Sequence, residues 1–464
     1  MTTEGGGLEE QRAQRVAKVE ALRAGGGDPY PAGFRRTRTA ASLHGEFGDL
    51  EAGTETDVDV TVAGRVILMR EQGKLTFVTL RDGSGEIQLF ASRGELAPPC
   101  HHDLPLDTDD VADVDTRFRQ REVDLIANED ARRVFDVRLA TVATIRRVLA
   151  ERGFVEVETP VLQPQPGGAA AKPFVTHYNA LGVDAYLRIA PELYLKRLLV
   201  GGYERVFEIA RVFRNEGLTT RHQPEFTMLE AYQAYADYVD MMDLTEALVS
   251  EAAVAATGSA QVEVDGERFD LAPPWPRRTL IDLVKEHAGV DVHPSMEVTE
   301  LRDICDRLEV EYEDYWGPGK LVLEIYEKTT ESRLRGPVFV LDYPLEVSPL
   351  ARTHRDDPTL VERFEVIVAG RELCNAFTEL NDPFEQRRRF EMQAAQKAHG
   401  DEEAHGVDEE YVRALEVGLP PCGGLGIGVD RLVMLLAGVT AIREVLFFPY
   451  LRPRGADDTG EATP

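Results

Sequence analysis

FEIARVFRNEGLTTRHQPEFTMLEAYQAYAD, residues 207–237, is the stretch whose reading decides the fold. Two strand-like runs, FEIARVFRNE and EFTMLEAYQAY, are joined by a polar loop over 217–224 that ends in Pro224. Side chains two apart on a strand share a face. That period sets Arg214 and Glu216 on one face of the first run, and Phe226, Met228, Glu230 and Tyr232 on one face of the second. A guanidinium fork suits a phosphate and an aromatic ring suits a purine face. Phe226 and Glu230 are separated by roughly 13 Å at strand rise. That span matches an adenine ring at one end and the cationic tip of an attached amino acid at the other.

Working outward, a helical pattern begins at residue 116 and runs into GFVEVETPVLQP, residues 153–164, where Pro160 stops the strand. Downstream, GGLGIGVDRLVML at 423–435 reads as a Gly-rich strand feeding a helix. Between them, Glu365 and Glu372 flank VIVAGR, with Arg371 inside the run. Hard carboxylate oxygens beside a triphosphate are what Mg2+ requires. Each of these charges alone reads as a solvated strand edge; their conjunction points to a nucleotide site.

The segments 153–164, 207–237 and 423–435 resemble motifs 1, 2 and 3 of the class II aminoacyl-tRNA synthetases. The intervening PGGAAAKPFVTHYNALGVDAYLRIAPELYLKRLLVGGYERVFEI, YPLEVSPLAR and GRELCNAFTELNDP are similar to the lysine members of that class. The resemblance covers nearly all of 130–453 and extends more weakly back to about residue 30. It implies an α+β fold, an antiparallel sheet flanked by helices, preceded by a truncated OB-like β module. It implies ATP-dependent activation of lysine to lysyl-adenylate, transfer to tRNA, Mg2+ as cofactor, and a homodimer formed through the motif 1 helix.

Residue by residue, the resemblance gives Arg214 the ATP α-phosphate and the substrate carboxylate, and Glu216 the adenine amino group. Phe226 and Arg431 would stack on the two adenine faces, and Arg221 and His222 would face the outer phosphates. Glu365 and Glu372 would hold the metal. Gly168 and Glu192 would receive the α-amino group, Asn375 the carboxylate, and Glu230, Tyr232 and Glu379 the ε-ammonium. Two carboxylates and a tyrosine hydroxyl removed from water favour a lysine ammonium and penalise neutral or acidic side chains. Two alternatives stay open at this point. One adenylates lysine for a non-tRNA acceptor or for a tRNA read without its anticodon; the other is a non-catalytic binding paralogue.

Two departures from the family pattern stand out. Cys374 and Ala376 occupy positions where the family usually has glycine, so they either reshape the pocket or pack behind it; small substitutions favour the second. Glu372 and Asn375 also differ in strand parity, and can share one pocket only through a bulge or bend. The second departure is at the N-terminal module. VDVTVAGRVILMR, KLTFVTLRD and GEIQLFAS read as three strands, the last two joined by Asp82-Gly83-Ser84-Gly85. Phe77 and Gln88 match residues that contact anticodon bases. The Pro- and Asp-rich stretch 94–114 shows no strand period, so the barrel is expected to lack about two strands.

The domain expectation is therefore an N-terminal helix and basic loop over 1–52 and a truncated OB-like module over 53–115. The catalytic domain follows over 116–453, with a helical insertion near 257–335, and 454–464 form a disordered tail. Residues 8–24 read as a polar helix ended by Gly25-Gly26-Gly27. A formal net charge of −30 argues against a general nucleic-acid binder. No apolar run reaches membrane-span length and the N-terminus lacks a signal-peptide stretch, so a cytoplasmic location is expected. The four cysteines are scattered without a CxxC pair, and Cys100-His101-His102 has no further ligands nearby, so neither disulfides nor zinc are expected.

Overall fold

The computed structural model describes residues 13, 16–17, 19–27, 35–51, 53–92, 113–398 and 406–453. Cys100-His101-His102 and the expected tail 454–464 lie outside them. The chain divides into two compact units, Met1–Asp107 and Thr108–Pro464.

In the first unit the described residues between 13 and 24 are helical. The helix ends where Gly26 takes a φ of 80° and the Gly27 N–H reaches back to the Leu22 carbonyl at 2.9 Å. Three antiparallel strands form a meander, β1 (Arg65–Gln72), β2 (Leu75–Asp82) and β3 (Gly85–Ser92). Asp82 organises the β2–β3 turn by accepting from the Ser84 N–H and hydroxyl, both at 2.7 Å. These bonds, Ser84 foremost, hold its carboxyl down at about 2. The first expected strand is shorter than its pattern: residues 58–64 stay outside the ladder because Thr61 pairs instead with Thr37, N–H to O at 2.8 Å.

The second unit is built on an eight-stranded sheet. Its order is β12 (Arg277–Thr279), β13 (Val338–Leu341), β14 (Arg363–Val368), β15 (Arg371–Thr378), β16 (Cys422–Gly428), β9 (Glu225–Ala234), β8 (Arg205–Phe213) and β4 (Val155–Glu156). The six central strands are antiparallel, and only the two edge pairs are parallel. A separate three-stranded sheet orders β5 (Leu162–Gln163), β7 (Val183–Leu187) and β6 (Val175–Tyr178). The apolar stripes of helices Glu129–Glu151, Tyr238–Thr257 and Val429–Ala437 join one face of the large sheet in the main core. The short hairpin β10 (Gln261–Val264) and β11 (Glu267–Asp270) also joins it.

The expected insertion contains helices Leu280–Ala288, Val298–Leu308 and Pro318–Thr329, which pack with Val338 and Val340 of β13 and Ile367 of β14 in a second core. The single helical pattern expected from residue 116 is three helices, Val114–Arg119, Arg121–Ala127 and Glu129–Glu151. Gln120 and Asn128 leave helical geometry, and the Asn128 side chain caps the third helix by accepting from the Asp130 N–H at 3.0 Å. Apolar periodicity does not register such breaks, because the same face stays buried across them.

One largely buried ion pair ties the long helix that precedes the first motif segment to the second and third segments. Arg138, on the long helix, donates to Asp430 at 2.5 Å and to the Thr227 hydroxyl at 3.1 Å, and Asp430 accepts from the Thr227 N–H at 2.7 Å. Helix, central strand and the Gly-rich strand–helix junction are thereby fixed around one carboxylate.

Candidate active site

The central strands leave a cavity of about 350 Å3 above the sheet. Twelve of the residues anticipated from sequence line it. At one end stand Arg214, Glu216, Arg221, His222, Phe226, Glu372 and Arg431; at the other, Gly168, Glu192, Glu230, Tyr232 and Asn375. Phe226, Met228, Glu230 and Tyr232 share the lining as the strand period required. Arg214 and Glu216 differ from expectation in one respect. β8 ends at Phe213, so both lie in the loop beyond it, although the Arg214 N–H still pairs with the Pro224 carbonyl at 2.9 Å.

The end with Arg214 and Arg431 is rich in cations whose donors are incompletely used. The Arg214 guanidinium lies 5.1 Å from the Phe226 ring centroid, and its buried Nε has no hydrogen-bond partner. Thr219 shapes the loop: its hydroxyl oxygen accepts from the N–H groups of Arg221 and His222, both at 3.0 Å. Burial, then Arg431, lowers the His222 imidazole below its usual range, so the ring is neutral at pH 7. Arg431 donates to the Glu372 carboxylate at 2.9 Å.

Glu365 does not line this cavity. Its carboxylate accepts from Arg363 at 2.6 Å, and burial, then the neighbouring Glu372, pushes it up to about 7. Mutually repelling carboxyls on β14 and β15 fit a bound divalent cation by their chemistry. No cluster of three or more His, Cys, Asp or Glu side chains with metal-site geometry occurs among the described residues.

Strand parity at Glu372 and Asn375 is resolved by a bulge. Val366 pairs with Cys374 but Ile367 pairs with Glu372, leaving Leu373 as the extra residue on β15. The bulge turns both Glu372 and Asn375 to the cavity and sends Cys374 and Ala376 into the main core with Leu425 and Ile427. The two departures from glycine thus pack behind the pocket. Arg363 holds Asn375 by donating to its side-chain oxygen at 2.8 Å, which leaves the amide N–H groups to face a ligand.

At the far end, Gly168 has a φ of 88°, and a Cβ there would come within 3.1 Å of the Glu192 Cβ. Glycine answers both constraints. Glu192 opens the helix Glu192–Val200. Tyr232 donates its hydroxyl to Glu230 at 2.9 Å, and burial, then Glu192, pushes the Glu230 carboxyl up to about 8. Glu379 is not among the lining residues; its carboxylate fills the space where a Gly424 side chain would stand, beside Tyr232, and it contacts Lys196.

The family described as tRNA synthetases class II (D, K and N) matches residues 113–452. An OB-fold nucleic acid binding domain matches residues 60–110. The chain is 44% identical, over 96% of each sequence, to a lysine–tRNA ligase of Pelotomaculum thermopropionicum. It is 46% identical to one of Parasynechococcus marenigrum, over 97% of the chain and 99% of that protein. A third relative, from Magnetococcus marinus, is 45% identical over 96% of the chain and 98% of its own length. This chain belongs to the lysine–tRNA ligase family of class II synthetases.

Within this synthetase, several contributors escaped sequence reasoning. Arg363 sits two positions before Glu365, a strand-parity signal that could have found it. Lys196, four residues after Glu192 on the helix Glu192–Val200, is fully buried. In the OB-like module Phe77 and Phe90 face each other across β2 and β3 with ring centroids 5.3 Å apart, and Gln88 pairs with Thr79 on the same face. Arg70 joins that face opposite Phe77. The alternate residues Thr76, Val78 and Leu80 are buried on the other side.

Proposed function

We propose that this synthetase condenses L-lysine with ATP to lysyl-adenylate and then transfers the lysyl group to the 3' end of its tRNA. The observation that carries this reading is one continuous cavity with Arg214 and Phe226 at one end and Glu230 and Tyr232 at the other. Phe226 and Arg431 hold the adenine between them, and Glu216 accepts from its amino group. Arg221 and His222 meet the outer phosphates. Glu192 and the Gly168 segment receive the α-ammonium, the Asn375 amide donates to the carboxylate, and Glu230 with Tyr232 receives the ε-ammonium.

A lysine carboxylate oxygen attacks the α-phosphorus, the bond to the bridging oxygen breaks, and pyrophosphate leaves. No general base is needed, because the attacking group is already an anion. Arg214 is aimed at the α-phosphate and offsets charge that builds there in the transition state. Glu365 and Glu372 would hold Mg2+, which when bound neutralises phosphate charge.

Among the described residues no helix is long and apolar enough to cross a membrane. We place the enzyme in the cytoplasm as a homodimer. Lysine-dependent pyrophosphate exchange followed by charging of total tRNA tests both steps. Exchange supported better by another amino acid, or exchange without charging, would overturn the reading.

A further inference from the structure

Glu365 on β14 and Asn375 on β15 are direct partners across the central sheet. Arg363, two residues before Glu365, shares its face of β14 by the strand period and reaches both. Its Nε donates to the Asn375 side-chain oxygen at 2.8 Å, and one Nη donates to the Glu365 carboxylate at 2.6 Å. The other Nη donates to the Ser348 hydroxyl at 2.9 Å and to the Val347 carbonyl at 3.3 Å. The guanidinium carbon lies 4.5 Å from the centroid of the Tyr343 ring. All three nitrogens are committed, and the aromatic face beneath them fixes the plane of the fork.

Two of these bonds preset groups that the proposed reaction uses. A primary amide offers an oxygen on one side and two N–H donors on the other. With the Asn375 oxygen taken by Arg363, the donors are what it presents to the cavity, and a carboxylate requires donors. Released from Arg363, the amide is free to turn its oxygen towards the substrate and meet a carboxylate with a lone pair. Glu365 stands beside Glu372, and two carboxyls at one site repel. The guanidinium holds one Glu365 oxygen in place against that repulsion. Such supporting bonds orient the carboxylates of metal sites.

We infer that Arg363 is a positioning residue shared by both substrates: one guanidinium presets the Asn375 amide for the lysine carboxylate and the Glu365 carboxylate for the metal that accompanies ATP. This role rests on the proposed activation of lysine and deepens it. On lysine, Arg363 acts only through Asn375. A residue that merely braced the loop at Val347 and Ser348 would act on lysine independently of Asn375, and the two cases part in a double-mutant cycle.

The test uses the full-length chain. Lysine is titrated by calorimetry without ATP or metal, and Mg2+ is titrated in pyrophosphate exchange at saturating lysine and ATP. Arg363→Lys keeps the charge but not the fork, and should raise the Kd for lysine by about tenfold or more. Asn375→Ala should do the same, and Arg363→Lys/Asn375→Ala should lie within about twofold of Asn375→Ala. The Mg2+ needed for half-maximal exchange should rise about tenfold in Arg363→Lys and stay within about twofold in Asn375→Ala. An unchanged Kd, additive losses in the double variant or an unmoved Mg2+ midpoint in Arg363→Lys would each overturn the inference. If Arg363→Lys does not fold, Arg363→Gln/Glu365→Gln removes both charges, and its Kd for lysine should exceed that of Glu365→Gln by about tenfold. No difference between those two overturns it, as does failure of both Arg363 variants to fold while Asn375→Ala folds. Wild-type chain that binds no lysine would instead sink the activation reading, and this inference with it.

Discussion

Arg214 enters the cavity with an unpartnered Nε and a ring beneath it, an arrangement that leaves its donors for an incoming anion. Arg214→Ala is expected to lower the exchange kcat by about a thousandfold, the scale for losing a donor aimed at developing charge. Melting temperature should hold, since the guanidinium makes no strong hydrogen bond to the fold; exchange near the wild-type rate would remove Arg214 from the mechanism. Glu230 gives a second expectation, through protons. Its carboxyl sits at about 8 without ligand, so at pH 7 it is largely protonated, and an ammonium requires it ionised. Lysine binding at pH 7 should release about one proton, and affinity should climb as pH rises towards 8. Calorimetry in two buffers of different ionisation enthalpy reads that release, and Glu230→Gln should abolish it. Buffer-independent heat in the wild type would contradict the assignment. At this scale period two made the Phe226–Tyr232 face legible, while Gly168, Glu192, Asn375 and Arg431 were reached only through the family resemblance. Lys196 was reached by neither: nothing in ELYLKRLLV distinguishes a buried ammonium from one that reaches solvent.

Strands carried their sequence signal better than helices did. The pairing of β8 with β9 follows from alternation around a polar loop, and the turn at Asp82 from its own side-chain acceptors. The Leu373 bulge was legible only as a parity conflict between Glu372 and Asn375, since the offset itself depends on β14. In the OB-like module the same alternation has a functional corollary. With Val78 and Leu80 buried, Phe77, Phe90, Gln88 and Arg70 share the opposite face, and Phe90 is 63% exposed. Paired aromatic rings beside a cation suit single-stranded bases. Phe77→Ala/Phe90→Ala should therefore raise the KM for tRNA in charging by roughly tenfold or more, at about 1–3 kcal/mol per stacked base. Lysine-dependent exchange should be untouched, because it needs no tRNA. An unaltered KM for tRNA would mean that this sheet does not read the nucleic acid.

At the scale of the molecule, the three-stranded sheet β5-β7-β6 presents apolar side chains that the described residues leave uncovered. Tyr178 and Val183, directly paired across β6 and β7, are each 48% exposed on one face, and Leu181 in the turn between them is 69% exposed. Contiguous exposed apolar side chains of that kind suit an association surface. The same segment is stitched to the catalytic loop: the Phe213 N–H donates to the Arg188 carbonyl at 2.9 Å and the Asn215 N–H to the Lys172 carbonyl at 2.7 Å. A partner copy seated on this sheet would thus steady the residues on both sides of Arg214. Val183→Asp/Leu181→Asp introduces charge where a closed two-fold interface would exclude water. Light scattering should then report one chain of 51.6 kDa where the proposed homodimer would give twice that mass. Exchange should fall with dissociation and recover partly at high protein concentration, as mass action requires. If the sheet instead faces solvent, both substitutions are surface changes worth about 0.5 kcal/mol or less, and neither mass nor exchange should move.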